Sequence, residues 1–327
     1  SVKVVALQAG DVSCLANQQN PFPLLWAQRR VHKGSASACL LDLLSALTDD
    51  LPIDECVGWA LTGSGADAFM GHGVAIPFLE EVPALTLGVR MLHPEAASVI
   101  AIGGQRAAYV TDLTGEAPPR FGTNESCAAG TGSFFEDQMS RLNLSIEDYS
   151  SHAQRATSLP RLSGRCAVFA KTDIIHRQQE GVAVDDILLG LCFAAVKSFK
   201  ASIVRGMPVA KPIVLAGGVL LNSGVVRAVR EVFGLDAHEL LCGQENLYLQ
   251  AVGAALHAAR CAGFFGKSNS LTASTDTSTS SSTTGSATSS LPDIDVLLTL
   301  LHDCSAYDTL ARREPLPDTG FKPTAGY

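Results

Sequence analysis

The chain lacks several features that mark common protein classes. Its 327 residues carry a net charge of −8, and no lysine or arginine run is interleaved with aromatic residues, which argues against a nucleic-acid surface. There is no charged start followed by an apolar core, and nine cysteines are an odd number for a secreted disulfide framework. Both observations predict a cytoplasmic protein. The longest apolar stretch, 187–204, contains Lys197 and Lys200, so we expect a buried or amphipathic helix there.

Zinc-site spacing is also absent. No CxxC pair occurs, and no histidine stands at zinc spacing from a cysteine. Seven of the cysteines have no shared context and fit the behaviour of small buried apolar side chains. These are Cys14, Cys39, Cys56, Cys192, Cys242, Cys261 and Cys304.

The other two cysteines share a context. Cys127 and Cys166 each stand just ahead of a predicted helix, at 132–142 and 167–179. A thiolate there meets the unpaired N–H groups of the helix start, which lowers its pKa and favours an anionic ligand. Two such sulfurs suit an iron–sulfur cluster, and a four-iron cluster usually takes four cysteines, so a second copy would supply the rest. The alternative, two buried structural thiols, stays open.

Three β-rich runs end in a glycine turn, at 3–10, 97–104 and 211–218. The second run alternates again after its glycines, which predicts a hairpin. The third precedes a capped helical pattern at 225–233. Strand, glycines and capped helix follow the order expected of a phosphate or ribose site. For either diglycine taken alone, a plain tight turn is the alternative.

The remaining patterns predict a mixed α/β protein. Residues 267–290 are almost wholly serine and threonine and cannot bury enough apolar surface to offset ordering entropy, which predicts a linker. A tail at 291–327 follows, with one short helix expected at 294–302, and we expect the natural chain to continue beyond it. Further helices are predicted at 37–48, 184–205 and 247–262.

Several of these stretches resemble the activator ATPases of 2-hydroxyacyl-CoA dehydratases and the related ATPase subunits of benzoyl-CoA reductase. The resemblance spans roughly residues 58–262, and its most specific part is CAAGTG at 127–132 with CAVFA at 166–170. It is carried by the surroundings of Cys127, Cys166, Gly103-Gly104 and Gly217-Gly218.

The resemblance implies a two-lobed α/β fold with mixed sheets, like that of actin, heat-shock protein 70 and sugar kinases (ribonuclease H-like). Its lobes would be 1–113 and 114–266, with ATP or ADP between them, with or without magnesium. One [4Fe-4S] cluster would bridge two protomers or linked domains through Cys127 and Cys166 of each. The implied function couples ATP binding and hydrolysis to low-potential electron transfer to a dehydratase or reductase partner.

The resemblance also assigns the turns. Gly103-Gly104-Gln105 is similar to the second phosphate-binding hairpin. Residues 61–65 are similar to a Thr-Gly turn, and residues 250–255 are similar to a closing helix in which small residues allow close helix packing. Residues 130–132 open the helix after the cluster cysteine, so one helix would sense both nucleotide and cluster. The implied nucleotide-contacting residues are Gly10, Gly103, Gly104, Gln105, Gly130, Thr131, Gly132, Gly217, Gly218 and Asn222.

Three positions depart from the family pattern. Gln8, Ala101 and Arg106 stand where the phosphate loops usually carry carboxylates. Without a carboxylate, magnesium binding and hydrolysis lose their usual ligands. Asp11 is the one candidate substitute, and no other catalytic residue is assigned. Arg106 either contacts a phosphate or is a solvated surface residue.

Three functions therefore compete. The first is an ATP-linked electron activator. The second is a hydrolysis-deficient, cluster-carrying half of a tandem activase, with an intact copy beginning after Tyr327. The third is a sugar or N-acetylglucosamine kinase of the same superfamily, which needs an aspartate base that the sequence does not place.

Overall fold

A computed structural model of the chain describes residues 1–8, 22–32, 34–66, 76–115, 117–124, 130–162 and 167–263. The predicted linker at 267–290 and the tail at 291–327 lie outside these residues. So do four residues assigned from the sequence, namely Gly10, Asp11, Cys127 and Cys166.

The described residues form nine strands and eight α-helices. The strands are β1 (Val2–Leu7), β2 (Leu24–Arg30), β3 (Leu61–Thr62), β4 (Phe78–Leu79), β5 (Ser98–Ile102), β6 (Ala107–Thr111), β7 (Arg120–Thr123), β8 (Ile213–Ala216) and β9 (Leu240–Leu241). The α-helices are α1 (Ala36–Asp50), α2 (Glu81–Leu92), α3 (Gly132–Arg141), α4 (Tyr149–Arg155), α5 (Ala167–Gln179), α6 (Val184–Phe199), α7 (Ser223–Phe233) and α8 (Leu249–Cys261). Strands β5 to β7 are consecutive in the chain, and helices α3 to α6 follow them.

The central sheet has five strands in the order β7-β6-β5-β8-β9. Strand β5 pairs antiparallel with β6 and parallel with β8, which confirms the predicted hairpin and the mixed sheet. All of β5 is buried. Because successive side chains point to opposite faces, Ile100 and Ile102 enter one core while Val99 and Ala101 enter the other.

Helix α6 runs through the larger core. Val184–Val204 is long and apolar enough to cross a membrane by length and composition, but 72% of that window is buried inside the protein. The predicted buried helix at 184–205 is thus present with one difference. Lys200–Val204 forms a π-helical turn, and Lys200 Nζ lies 2.8 Å from the carbonyl oxygen of Val232, to which it donates.

Helices α2 and α8 pack with their backbones in contact. A Cβ built on Gly88 would lie 1.9 Å from the carbonyl oxygen of Leu249, and one on Gly253 would lie 1.8 Å from that of Ala84. Glycine is therefore required at both positions. This confirms the close packing expected of the small residues at 250–255.

The antiparallel pair β1–β2 forms a second, two-stranded sheet. One face of this sheet packs on α1, where Val4 and Trp26 pack against the hydrophobic cluster that contains Leu44. Its other face packs on α8 through Val5, which contacts the cluster around Val252. By the same alternation, Lys3 lies on the α8 side of this sheet.

Candidate nucleotide site

A cleft of about 2680 Å³ lies between the two-stranded sheet and the central sheet. The second and third predicted glycine turns, at 97–104 and 211–218, meet there, whereas Gly10 of the first turn lies outside the described residues. The cleft is lined by Gly103, Gly104, Gln105, Gly132, Gly217, Gly218 and Asn222 among others.

The hairpin between β5 and β6 forms one wall. The amide of Gly103 donates to the carbonyl of Arg106 at 2.8 Å, which closes the turn. The Asn124 side chain braces it from β7, because its Nδ2 donates to the Gln105 carbonyl at 2.9 Å and its Oδ1 accepts from the Ala107 amide at 2.7 Å. No motif in the sequence marks Asn124, although it stands three positions before Cys127.

Helix α3 begins directly against this hairpin. The Gly132 amide donates to the Gly103 carbonyl at 2.8 Å, and the Ser133 amide donates to the Gly104 carbonyl at 2.7 Å. A Cβ on Gly132 would lie 3.1 Å from the Gly104 Cα. Gly130 and Thr131 lie behind the cleft, since both are buried and Gly130 packs on Ala195.

The turn after β8 approaches the same hairpin. Gly217 has φ +89° and a Cβ there would lie 2.3 Å from the Ile102 carbonyl oxygen. Both its backbone conformation and this close contact exclude other residues. Asn222 then caps α7, with its Oδ1 accepting from the Gly224 amide at 2.9 Å.

Comparison with known proteins identifies the family of the chain. The BadF/BadG/BcrA/BcrD ATPase family model matches residues 40–258. The chain belongs to this family.

Similar proteins of this ATPase family include dehydratase activators. The chain is 31% identical over 180 residues to the activator of lactoyl-CoA dehydratase from Anaerotignum propionicum, covering 55% of this chain and 68% of the relative. It is 29% identical over 197 residues to the (R)-2-hydroxyglutaryl-CoA dehydratase activating ATPase of Acidaminococcus fermentans, covering 60% of this chain and 73% of that relative.

Two solved structures of such activators share the fold. Component A of the Acidaminococcus fermentans (R)-2-hydroxyglutaryl-CoA dehydratase superposes with a TM-score of 0.67 at 22% identity, covering 80% of this chain and 99% of that one. The 2-hydroxyisocaproyl-CoA dehydratase activator from Clostridium difficile, with bound ADPNP, superposes with a TM-score of 0.63 at 23% identity. That superposition covers 80% of this chain and 96% of the other. These likenesses confirm the predicted actin, heat-shock protein 70 and sugar kinase-like fold.

The three positions that depart from the family pattern have different surroundings. Ala101 is only 8% exposed and packs in the core. Arg106 is exposed at the tip of the hairpin and lines the cleft. Gln8 is exposed, and its backbone N–H donates to the Pro23 carbonyl at 2.9 Å.

The expectation that the other cysteines are buried is correct for only part of the five that the structure describes. Cys39 and Cys192 are buried and Cys56 is half-buried, but Cys242 and Cys261 are exposed. The Cys192 Sγ lies 4.0 Å from the Asn222 Oδ1, and burial raises the pKa of Cys192 to about 12. Cys192 therefore stays a thiol, which makes it a poor metal ligand.

Proposed function

We propose that this chain is a nucleotide-binding activator domain that carries half of a [4Fe-4S] cluster. It passes low-potential electrons to a partner enzyme of the 2-hydroxyacyl-CoA dehydratase or benzoyl-CoA reductase kind. A second, identical or linked copy supplies the other half of the cluster. The observation that carries this proposal is the direct hydrogen bonding of the start of α3 to the glycine hairpin.

That contact joins two sites. The hairpin faces the cleft, while α3 follows the segment that contains Cys127. A shift of the hairpin on nucleotide binding moves the Gly132 and Ser133 amides with it, because both donate to hairpin carbonyls. A nucleotide with different affinity for two lobe arrangements then shifts the position of α3.

The helices that follow the two cysteines support a shared site. α3 and α5 pack against each other, and neither has an acidic residue in its first turn. Two helix starts free of carboxylates favour an anionic centre. Cys127 and Cys166 would hold the cluster, which supplies one-electron chemistry when bound.

A hydrolysis-deficient form of this function is favoured by one observation. Ala101 lines the cleft but carries no group that binds a cation, while Gln8 and Arg106 occupy the other two positions that usually carry acids. We therefore expect ATP to bind but to turn over slowly. Phosphate release well above background with Mg²⁺, lost on Asp11→Asn, would contradict this form and assign Asp11 as the substitute acid.

Iron analysis under anaerobic conditions tests the main proposal. Reconstituted protein should be brown, with about one four-iron cluster for two chains or domains. Cys127→Ser and Cys166→Ser should each lose the iron, whereas the matched control Cys192→Ser should keep it because Cys192 is a buried thiol. Iron-free wild-type protein, or phosphate transfer to a sugar, would favour the kinase alternative.

A further inference from the structure

Two cations face each other across β1 and β2. Lys3 and Arg29 are direct register partners on the antiparallel pair, so their side chains share one face. Like charges at directly opposite positions destabilise a sheet. Within the described residues, neither side chain forms an ion pair with a carboxylate.

Both residues line the cleft. The Arg29 Nη1 lies 3.7 Å from the place where a Cβ on Gly218 would stand. The guanidinium therefore spans from the two-stranded sheet to the glycine turn after β8. Lys3 is half-buried, and burial, with Arg29 as the smaller cause, lowers the pKa of Lys3 to about 8. An unfavourable arrangement retained at a cleft is typical of a ligand site.

The cations complement the missing acids. A nucleotide polyphosphate needs positive charge, which a carboxylate-bound Mg²⁺ usually provides. Gln8 and Ala101 offer no carboxylate for such an ion. Lys3 and Arg29 together carry the same formal charge as Mg²⁺ when both are protonated, and a guanidinium donates two hydrogen bonds to phosphate oxygens.

We propose that Lys3 and Arg29 form an anion subsite that holds the phosphate groups of the nucleotide and takes the place of Mg²⁺ as their counter-charge. This inference rests on the proposed nucleotide site and adds that binding is independent of a divalent cation. The ligand class is a nucleoside di- or triphosphate. The exposed Glu136 of α3 also lines the cleft and is the described carboxylate that a competing Mg²⁺ site on α3 would use.

Isothermal titration of the full chain with ATP tests the subsite. With excess EDTA, ATP should bind, and Mg²⁺ should change the Kd by less than about threefold. Lys3→Met and Arg29→Met should each weaken ATP by about tenfold or more, the usual loss of a charged hydrogen bond. Arg29→Lys should restore part of the loss, and adenosine affinity should stay within about twofold in every variant because adenosine has no phosphate.

Arg30→Met is the matched control. Arg30 is next along β2, pairs with Asp42 at 2.9 Å and is about half exposed, so its loss should leave the Kd of ATP unchanged. Circular dichroism of each variant checks that the fold is kept.

Three outcomes would overturn the inference. If ATP binds only with Mg²⁺, and Glu136→Gln abolishes that binding, the counter-charge is a metal ion and the proposed nucleotide site stands. If Lys3→Met and Arg29→Met bind ATP like the wild type, the Lys3–Arg29 subsite is refuted but the proposed nucleotide site stands. If neither ATP nor ADPNP binds with or without Mg²⁺, the nucleotide part of the proposed function fails as well.

Discussion

The Gly132 amide donates to the Gly103 carbonyl at 2.8 Å, which ties the first residue of α3 to the tip of a hairpin that lines the cleft. The two glycines come from different elements of the chain and leave no side chain between their backbones. A short backbone hydrogen bond of this kind transmits displacement better than flexible side chains. It joins the cleft to the C-terminal side of the segment that holds Cys127, as the Asn124 side chain does on the N-terminal side.

Adding one methyl group at this junction should uncouple the two sites. In Gly132→Ala the new Cβ would lie 3.1 Å from the Gly104 Cα and 3.3 Å from the Gly103 oxygen, so α3 and the hairpin must move apart by a few tenths of an ångström, at a stability loss of about 1 kcal/mol. We expect reconstituted Gly132→Ala to keep its iron while ATP no longer alters the rate at which a chelator removes it. The control is Gly115→Ala, where the nearest atom would be 3.8 Å away. An unchanged response to ATP in Gly132→Ala would disprove coupling through this bond.

Gly217 should be the least tolerant glycine of the cleft. Alanine there combines φ +89° with a Cβ 2.3 Å from the Ile102 oxygen, so we expect unfolding free energy to fall by about 2–4 kcal/mol in urea titration. ATP affinity should fall too, because the turn must move away from the hairpin. Gly104→Ala meets nothing within 4 Å and should leave the urea midpoint nearly unchanged. Equal midpoints for the two variants would show that the contact is not strained.

The cap on α7 predicts a smaller, graded loss. Asn222→Ala removes the acceptor of the Gly224 amide and should lower the unfolding free energy by about 1 kcal/mol. Asn222→Asp and Asn222→Ser keep a capping oxygen and should recover most of it. If all three substitutions destabilise equally, the Asn222 side chain acts through the neighbouring Cys192 Sγ rather than as a cap.

The Lys3 ammonium predicts a pH dependence of stability. Its pKa is about 8 in the folded chain against an ordinary value near 10.5. Below pH 8 Lys3 is protonated in both the folded and the unfolded chain, so the cost of burying its charge lowers stability in full. Between pH 8 and pH 10.5 Lys3 is protonated in the unfolded chain but neutral in the folded chain. Stability should therefore rise with pH across this window, by up to about 3 kcal/mol at about 1.4 kcal/mol per pKa unit.

Comparison with Lys3→Met isolates this contribution. The variant should be more stable than the wild type at pH 7, and the difference should vanish as the pH approaches 10.5. With saturating ATP at pH 7 the wild type should become more stable than Lys3→Met, because bound phosphate favours the charged lysine. A variant that is less stable than the wild type at pH 7 without nucleotide would contradict the buried charge.

Local sequence chemistry predicted several elements well. Helix α5 was predicted at 167–179 and is observed as Ala167–Gln179, and the hairpin around Gly103-Gly104 formed as expected. Glycine turns and helix starts depend on residues close together in the chain, so they can be read directly. The sequence patterns do not predict the strand β2, which ends in Gln28-Arg29-Arg30, or the helix α2, which has a proline in its first turn. Their buried faces exist only against α1 and α8.

The sequence by itself determined the family, the glycines that exclude side chains and the lack of carboxylates at Gln8, Ala101 and Arg106. These follow from residue identity and near-neighbour order. The tertiary structure alone decided that Gly132 bonds to Gly103 and that Lys3 faces Arg29. Both contacts depend on strand register and lobe packing, which bring together residues distant in the chain, and no local pattern encodes such an approach.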